Sequence, residues 1–346
     1  MNWISYKEKF KETCQKKNIS EIQIQKWLGY ASVLYQNGLP IIFDKKHLAG
    51  LLGFKWELLR NIIHSQTKFY RTFYIPKKSG GRRCLKEPYP SLKEIQNWIK
   101  DFILKKCSIS RFAKAYAPKR SVYENVRFHK KHAVVMKFDV EDFFGSINKW
   151  QVTSLFEKMG YNQDLAEILA GLCCLDNHLP QGAPTSPYLS NIFAKDIDNR
   201  LSKYLLKRGL YYTRYSDDIT ISGNISDKQV PQIISFCKYL LSNYGLRLNN
   251  EKTKILRQHQ KQYVTGAVVN ENVSVESKTK KKLRQQMYYI QKFGLESHMN
   301  HLEIKKQNYV YHLMGKICWV LTLEKKNEEF KRYKDVLKEL LDAPKN

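Results

Sequence analysis

Tyr215-Ser216-Asp217-Asp218 constrains this chain more than any other stretch, because two adjacent carboxylates sit between β-prone segments, Leu210 to Tyr215 before and Ile219 to Ser222 after. The pattern predicts a hairpin whose turn presents acid. Aspartate is depleted from strand interiors and favoured at turns, where its short side chain bonds the local backbone. A turn accounts for one of the two. Both ionise at neutral pH from an unperturbed pKa of about 3.9, and neighbouring negative charges repel unless a cation lies between them.

A second acidic knot points the same way. The apolar run from Ala133 to Phe138 ends in Asp139-Val140-Glu141-Asp142-Phe143-Phe144, which predicts a buried strand delivering Asp139 at its end. Oxygen ligands without nearby His or Cys favour a hard ion, Mg²⁺ or Mn²⁺, that keeps waters and binds carboxylates together with substrate phosphates. Two such ions would activate an attacking hydroxyl and stabilise leaving pyrophosphate, as polymerases and nucleases do. Taken singly, each acidic segment reads equally well as solvated turn residues.

Charge decides between these readings. With 60 Lys plus Arg against 32 Asp plus Glu, the formal charge is +28, so acids clustered in so basic a chain are poor candidates for mere solubilising surface. The excess predicts polyanion binding that weakens steeply with salt as counterions are released. The 22 Tyr and 16 Phe supply stacking surface for single strands as well as core. At 346 residues the chain can bury a sizeable core in two or three subdomains. Met1 to Lys17 lacks an apolar signal region and no long apolar run occurs, so the expectation is a cytoplasmic protein without a membrane partner. The 7 cysteines have no zinc-like spacing and read as reduced thiols, with Cys173-Cys174 packing in the core.

The first 65 residues read as helices. Ser20 is placed to cap one, with Ile22, Ile24, Trp27, Leu28 and Leu34 as its apolar stripe, and Asp44 to cap another before Gly53. Phe69 to Pro76 reads as a strand, followed by the basic turn Lys77 to Arg83, which suits either phosphates or an exposed hairpin tip. Between residues 121 and 275 strands alternate with amphipathic helices. Gln181-Gly182-Ala183-Pro184-Thr185-Ser186-Pro187 breaks that pattern before a helix that Ser186 could cap. After Ser277 the chain is helical again, with Lys278, Lys280, Lys281, Lys282 and Arg284 ahead of Tyr288, Tyr289 and Phe293, either a solvated face or a nucleic-acid contact.

In this order, the segments resemble the reverse transcriptase family. Phe138 to Phe144 is similar to its first catalytic motif, Gln181 to Pro187 to the loop beneath template and incoming nucleotide, and Tyr215 to Asp218 to its Tyr-x-Asp-Asp hairpin. Asn249-Asn250-Glu251-Lys252-Thr253 resembles the motif after the palm helix, and Ile75-Pro76-Lys77-Lys78 with Gly81 and Arg83 the fingers signature. The resemblance implies an α+β, right-hand polymerase fold. It divides into an N-terminal helical region over 1–65, fingers over 66–130, a palm of antiparallel sheet and packed helices over 131–275 with part of the fingers inserted, and a basic helical thumb over 276–346.

Carried over residue by residue, the resemblance makes Asp139 and Asp217 the principal ligands of two Mg²⁺ ions, with Asp218 completing the cluster and the Val140 backbone carbonyl assisting. Adjacent strand residues face opposite sides, so Asp217 and Asp218 are not expected to be equivalent. Lys252 is the implied proton donor to pyrophosphate, and Arg83 with Lys78 the implied holders of the triphosphate. Phe144 stands where the family keeps an aromatic that rejects a ribose 2′-OH and so favours dNTPs. Gln181 is expected to position the templating pair, and Tyr215 and Gly182 to contact primer and template.

Two further matches resemble the bacterial retron branch. Val264-Thr265-Gly266 is similar to its Val-Thr-Gly motif, and Asn125-Val126-Arg127-Phe128-His129 to its Asn-Ala-x-x-His segment, with Val126 in place of alanine; Ser216 likewise stands where alanine is common. No maturase or zinc-bearing endonuclease pattern follows the thumb. The branch implies a cognate structured noncoding RNA (msr-msd) as primer and template, initiation from an internal 2′-OH, branched RNA–DNA (msDNA) as product, and an effector protein in anti-phage defence. Asn125, His129, Val264, Thr265, Gly266, Lys280, Lys281, Lys282 and Arg284 are the expected RNA contacts, reading shape and backbone. Two other readings stay open from sequence: a different bacterial defence or group II intron-like reverse transcriptase, and a non-catalytic RNA-binding protein on a polymerase scaffold.

Overall fold

The computed structural model describes residues 2–77, 80–304 and 308–342. In chain order the regular elements are α1 (Trp3–Lys16), α2 (Glu21–Gln36), α3 (Lys45–Leu52), α4 (Trp56–His64), β1 (Tyr70–Pro76), β2 (Arg82–Pro88), α5 (Pro90–Trp98), α6 (Val122–Val126), β3 (Val134–Asp139), α7 (Lys149–Met159), α8 (Gln163–Cys173) and α9 (Ser186–Phe193). There follow α10 (Lys195–Leu206), β4 (Tyr211–Tyr215), β5 (Asp218–Gly223), α11 (Gln229–Ser242), β6 (Lys254–Arg257), β7 (Tyr263–Val264), β8 (Ala267–Val268), α12 (Ser277–Phe293), α13 (Leu295–His301), α14 (Tyr309–Leu323) and α15 (Glu328–Asp342). Helices are mixed with sheets whose strands all pair antiparallel.

The chain divides into two compact units interleaved in sequence. The first takes the residues up to Ala117 with Val140–Leu201 and Phe236–Leu248; the second takes Pro118–Asp139, Ser202–Ser235 and the residues from Asn249 on.

In the first unit the helix starts follow local chemistry. Ser20 accepts from the Gln23 amide and Asp44 from those of Lys46 and His47, while Gly53 ends α3 at φ 73°. These bonds satisfy end amides that helices otherwise leave orphaned. The stripe on α2 is narrower than its sequence suggests: Ile24, Leu28 and Leu34 are buried, but Ile22 is 85% exposed, because position 22 falls off the arc that faces the core. At α9 Thr185 holds the N-cap position without a side-chain capping bond, and Ser186 does not cap, its hydroxyl donating instead to the Pro180 carbonyl at 2.7 Å. The Lys86 amide of β2 donates to the Gln181 carbonyl at 2.8 Å. A Cβ at Gly182 (φ 130°) would stand 2.7 Å from the Lys86 carbonyl oxygen, so glycine is required where this loop lies against the strand.

The second unit is built on a four-stranded sheet in the order β4-β5-β3-β6. Its register opposes Asp139 to Asp218, Lys137 to Thr220 and Val135 to Ser222 across β3 and β5, and Tyr215 to Asp218, Thr213 to Thr220 and Tyr211 to Ser222 across β4 and β5. Since side chains alternate, all of these share one face. The opposite face carries the apolar Met136, Phe138, Ile219 and Ile221, each no more than 1% exposed. Helices α12, α14 and α15 pack a separate apolar core around Leu283, Met287, Leu313, Ile317, Phe330 and Leu337.

Candidate active site

The β3–β5 register ends on the pair Asp139 and Asp218, and the turn Ser216-Asp217 closes β4 onto β5 beside them. The carboxylates come from segments far apart in sequence. Ser216 adopts φ 62° and is buried, a left-handed conformation that a small residue bears at modest strain. Behind the turn lies Arg214, 2% exposed, whose Nη1 donates to the Ser216 carbonyl at 3.0 Å. The loop after α11 hangs from the same point: the Asn249 amide donates to the Asp139 carbonyl at 2.8 Å, and the Asn249 side chain accepts from the Lys252 amide at 3.2 Å. That anchorage brings Lys252 Nζ to 3.1 and 3.0 Å from the two Asp139 carboxylate oxygens.

Burial pushes the Asp218 carboxyl up to about 6, the neighbouring Asp217 adding to the rise and Lys137 opposing it. Asp217 is raised as well, first by burial, against its own backbone hydrogen bond, and then by the charge of Asp139. Two half-buried acids that repel each other form a site lacking positive charge. Lys252 supplies some of it to Asp139, as a fixed ammonium where a cation is wanted.

As the side chains stand, no three of His, Cys, Asp or Glu among the described residues form a closed ion cage. The donor set nevertheless suits a hard divalent ion that takes one or two carboxylates and completes its shell with water and phosphate. Oxygen donors, desolvation and mutual repulsion all suit such a cation, which at Asp139 would compete with Lys252.

Sequence reasoning missed two residues. Lys137 shares the sheet face of Asp139 and Asp218 and lies 4.7 Å over the Tyr263 ring; its signal was a lone lysine inside an apolar strand run. Arg214, the buried brace of the turn, had the same kind of signal in β4. Tyr215 is half-buried on the face of Asp218.

Other expected residues belong to the first unit. There Val140 bridges to Leu248, and Phe144 is half-buried with its ring 5.7 Å from Phe143 and 6.5 Å from Tyr116. Gln181 is half-buried, Gly182 exposed, and Arg83 exposed on β2 opposite Ile75. Lys78 lies outside the described residues.

Several expected RNA contacts are corrected. Asn125, His129 and Val264 are each 0% exposed and cannot touch RNA from there. Asn125 Nδ2 donates to Thr265 Oγ1 at 2.7 Å, and His129 is enclosed by the hydroxyls of Ser222 and Thr213. Lys280 is largely buried in an ion pair with Glu324 at 2.8 Å, and Arg284 grips Glu329 through Nε and Nη2. The Lys280 charge is spent inside the protein, whereas Arg284 and its ion pair stand at the surface. Thr265 is half-buried, and Gly266, Lys281 and Lys282 are exposed. No helix among the described residues is long and apolar enough to cross a membrane, and the described cysteines are free thiols, Cys173 and Cys174 buried.

Comparison with known proteins agrees with this geometry. Residues 75–307 match the family model described as reverse transcriptase (RNA-dependent DNA polymerase). The chain is 30% identical to the retron Ec86 reverse transcriptase of Escherichia coli, over 84% of this chain and 88% of that protein. It is 31% identical to the retron Mx65 reverse transcriptase of Myxococcus xanthus, over 78% of this chain and 68% of the relative. A looser likeness, with TM-score 0.43 and 12% identity over 84% of this chain and 65% of the other, is to the telomerase of Candida albicans solved with a fragment of telomeric RNA.

Proposed function

This chain belongs to the reverse transcriptase family and within it to the retron enzymes, and from that premise we propose that it copies part of a cognate structured noncoding RNA into DNA, starting from an internal 2′-OH. It is an RNA-directed DNA polymerase. The product in this reading is branched RNA–DNA, made in the bacterial cytoplasm and held with an effector protein in anti-phage defence. The observation that carries the catalytic half is the facing of Asp139 and Asp218 across β3 and β5, with Asp217 in the adjoining turn and Lys252 on Asp139.

Asp139, Asp217 and Asp218, with the Val140 carbonyl, are the groups that would hold Mg²⁺ or Mn²⁺. Bound divalent ions supply activation of the attacking hydroxyl and positive charge for the leaving pyrophosphate. The protein's own residues supply the rest. Lys252 carries its proton at Nζ, ready for the pyrophosphate oxygen that departs. Arg83 and Lys78 bind the triphosphate, the former through a planar guanidinium suited to phosphate oxygens. Phe144 excludes a ribose 2′-OH by bulk, Gln181 and Gly182 support the templating pair, and Tyr215 packs against the primer end. Lys281 and Lys282, with Arg284, are exposed cations of α12 available to RNA phosphates.

The test is the nucleic acid that copurifies with the protein when it is expressed with its adjoining locus. A denaturing gel run after separate RNase and DNase digestion is expected to show one species shortened by either enzyme. Material that RNase removes completely, with DNase without effect, rejects 2′-OH-primed synthesis.

A further inference from the structure

The Asn125–His129 segment and the Val264–Gly266 turn touch each other through a hydrogen bond between residues 140 apart, and Asn125, His129 and Val264 are buried. We propose that His129 is a positioning residue for the hairpin that carries Asp217 and Asp218, and that Asn125 fastens the same short segment to the turn ahead of α12. The proposal rests on the reading of that hairpin as catalytic.

Ser121 starts the segment by accepting from the Glu124 amide at 3.3 Å, and α6 runs on through a tight turn over Arg127–His129. Asn125 and His129 are four apart and so lie on the same side of it. The His129 ring meets Ser222 Oγ through Nδ1 at 2.8 Å and Thr213 Oγ1 through Nε2 at 2.7 Å. Thr213 lies on β4 and Ser222 on β5, on the sheet face that also carries Tyr215 and Asp218. With both ring nitrogens engaged the imidazole cannot turn, and the two strands are clamped from above.

The clamp matters because of where β4 lies. In the order β4-β5-β3-β6 it is an edge strand, with no strand beyond it among the described residues, so its ladder to β5 does not by itself fix its twist about that neighbour. A rotation there displaces the Ser216-Asp217 turn. A side-chain bridge across β4 and β5 resists it. Buried polar groups held in a satisfied network fix one arrangement, where an apolar contact would tolerate several.

The other end is tied as firmly. Asn125 Nδ2 donates to Thr265 Oγ1 at 2.7 Å, Thr265 standing at φ 47°. Val126 is buried in the apolar core formed by the helices from α12 on, and Lys325 lies 5.4 Å over the Tyr123 ring. A single short segment therefore links the acidic hairpin to the helical core that bears Lys281 and Lys282.

The test measures single-turnover dNTP incorporation on a primed RNA template, with burst amplitude reporting the fraction of active enzyme. In His129→Ala the rate constant per active molecule is expected to fall at least about tenfold, the size of effect that misplacing a reacting group produces. KM for dNTP and RNA affinity are expected to stay within about twofold, and His129→Gln to recover most of the rate through its own two polar atoms. Thr213→Val and Ser222→Ala should each slow the wild type but add little to His129→Ala, the non-additivity of groups in one network. They also carry the test if His129→Ala does not fold. A normal rate in all these variants, or loss of burst amplitude at an unchanged rate, overturns the proposal. Asp217→Asn is assayed in parallel: if it still incorporates dNTP, the reading of the hairpin as catalytic fails as well; if it is inactive while the His129 variants behave as wild type, only the positioning role fails.

Discussion

Two polar clusters occupy the same face of the β4-β5-β3-β6 sheet, and the chain treats them in opposite ways. At one end Thr213, Ser222 and His129 neutralise one another's hydrogen-bonding needs in the interior. At the other, Asp217 and Asp218 are crowded together and partly desolvated, with a carboxyl pushed up to about 6 at Asp218. A polar group that finds all its partners within the protein supports the structure. One whose charge is left in deficit is waiting for something from outside. The α12 cations divide on the same rule, Lys280 being paired with Glu324 while Lys281 and Lys282 stay exposed.

The sharpest way to break this contrast is Asp217→Asn. Incorporation of dNTP on a primed RNA template is expected to fall by about 10³-fold or more, the several kcal/mol of charge stabilisation that metal-ion catalysis supplies, with RNA binding almost unchanged. Near-normal incorporation would make the unsatisfied cluster as passive as the satisfied one.

A smaller effect tests the division within α12. Lys281→Gln with Lys282→Gln is expected to weaken RNA binding about tenfold and reduce the slope of log Kd against log salt by about 1.4–1.8, as two released phosphate contacts require. Lys280→Gln is expected to leave that slope alone and lower the melting temperature, because Glu324, which also accepts from the Val275 amide, loses its counter-charge. Equal slopes in the two variants, read by filter binding across a salt series, would erase the distinction.

The smallest effect concerns stability. Asp218 holds its proton in the folded state more tightly than an unfolded aspartate, whose pKa is about 3.9. Its contribution to stability is therefore full below that value and is lost as pH rises through about 6. Asp218→Asn is accordingly expected to raise the melting temperature at pH 8 without divalent ions by about 1–2 °C, allowing roughly 1 kcal/mol for a group that still reaches solvent. At pH 4 little change is expected. Scanning calorimetry at the two pH values decides it, and a gain at pH 4 equal to that at pH 8 would contradict the strain assigned to this carboxylate.

The hairpin was legible because its signals are local: β-prone residues flank a turn-forming Ser-Asp pair, and turn chemistry acts over a few residues. The caps at Ser20 and Asp44 were legible for the same reason. His129 was not, because its neighbours Arg127, Lys130 and Lys131 are basic and one helical face can be buried while the next is wet. Ile22 misled in the opposite sense, an apolar residue in an apolar helix that lies on its exposed side. The Lys280–Glu324 pair joins residues 44 apart, a distance over which no periodicity carries information.

From its amino-acid order alone this chain settled that acid would be gathered at the ends of two β-segments in a basic protein, since strand propensity, turn preference and net charge are summed along neighbouring residues. Only the tertiary structure decided that Asp139 would face Asp218, that Lys252 would reach the former, and that Asn125 and His129 would turn inward. Strand register and burial come from contacts between distant segments, where packing and desolvation outweigh any preference a residue has by itself.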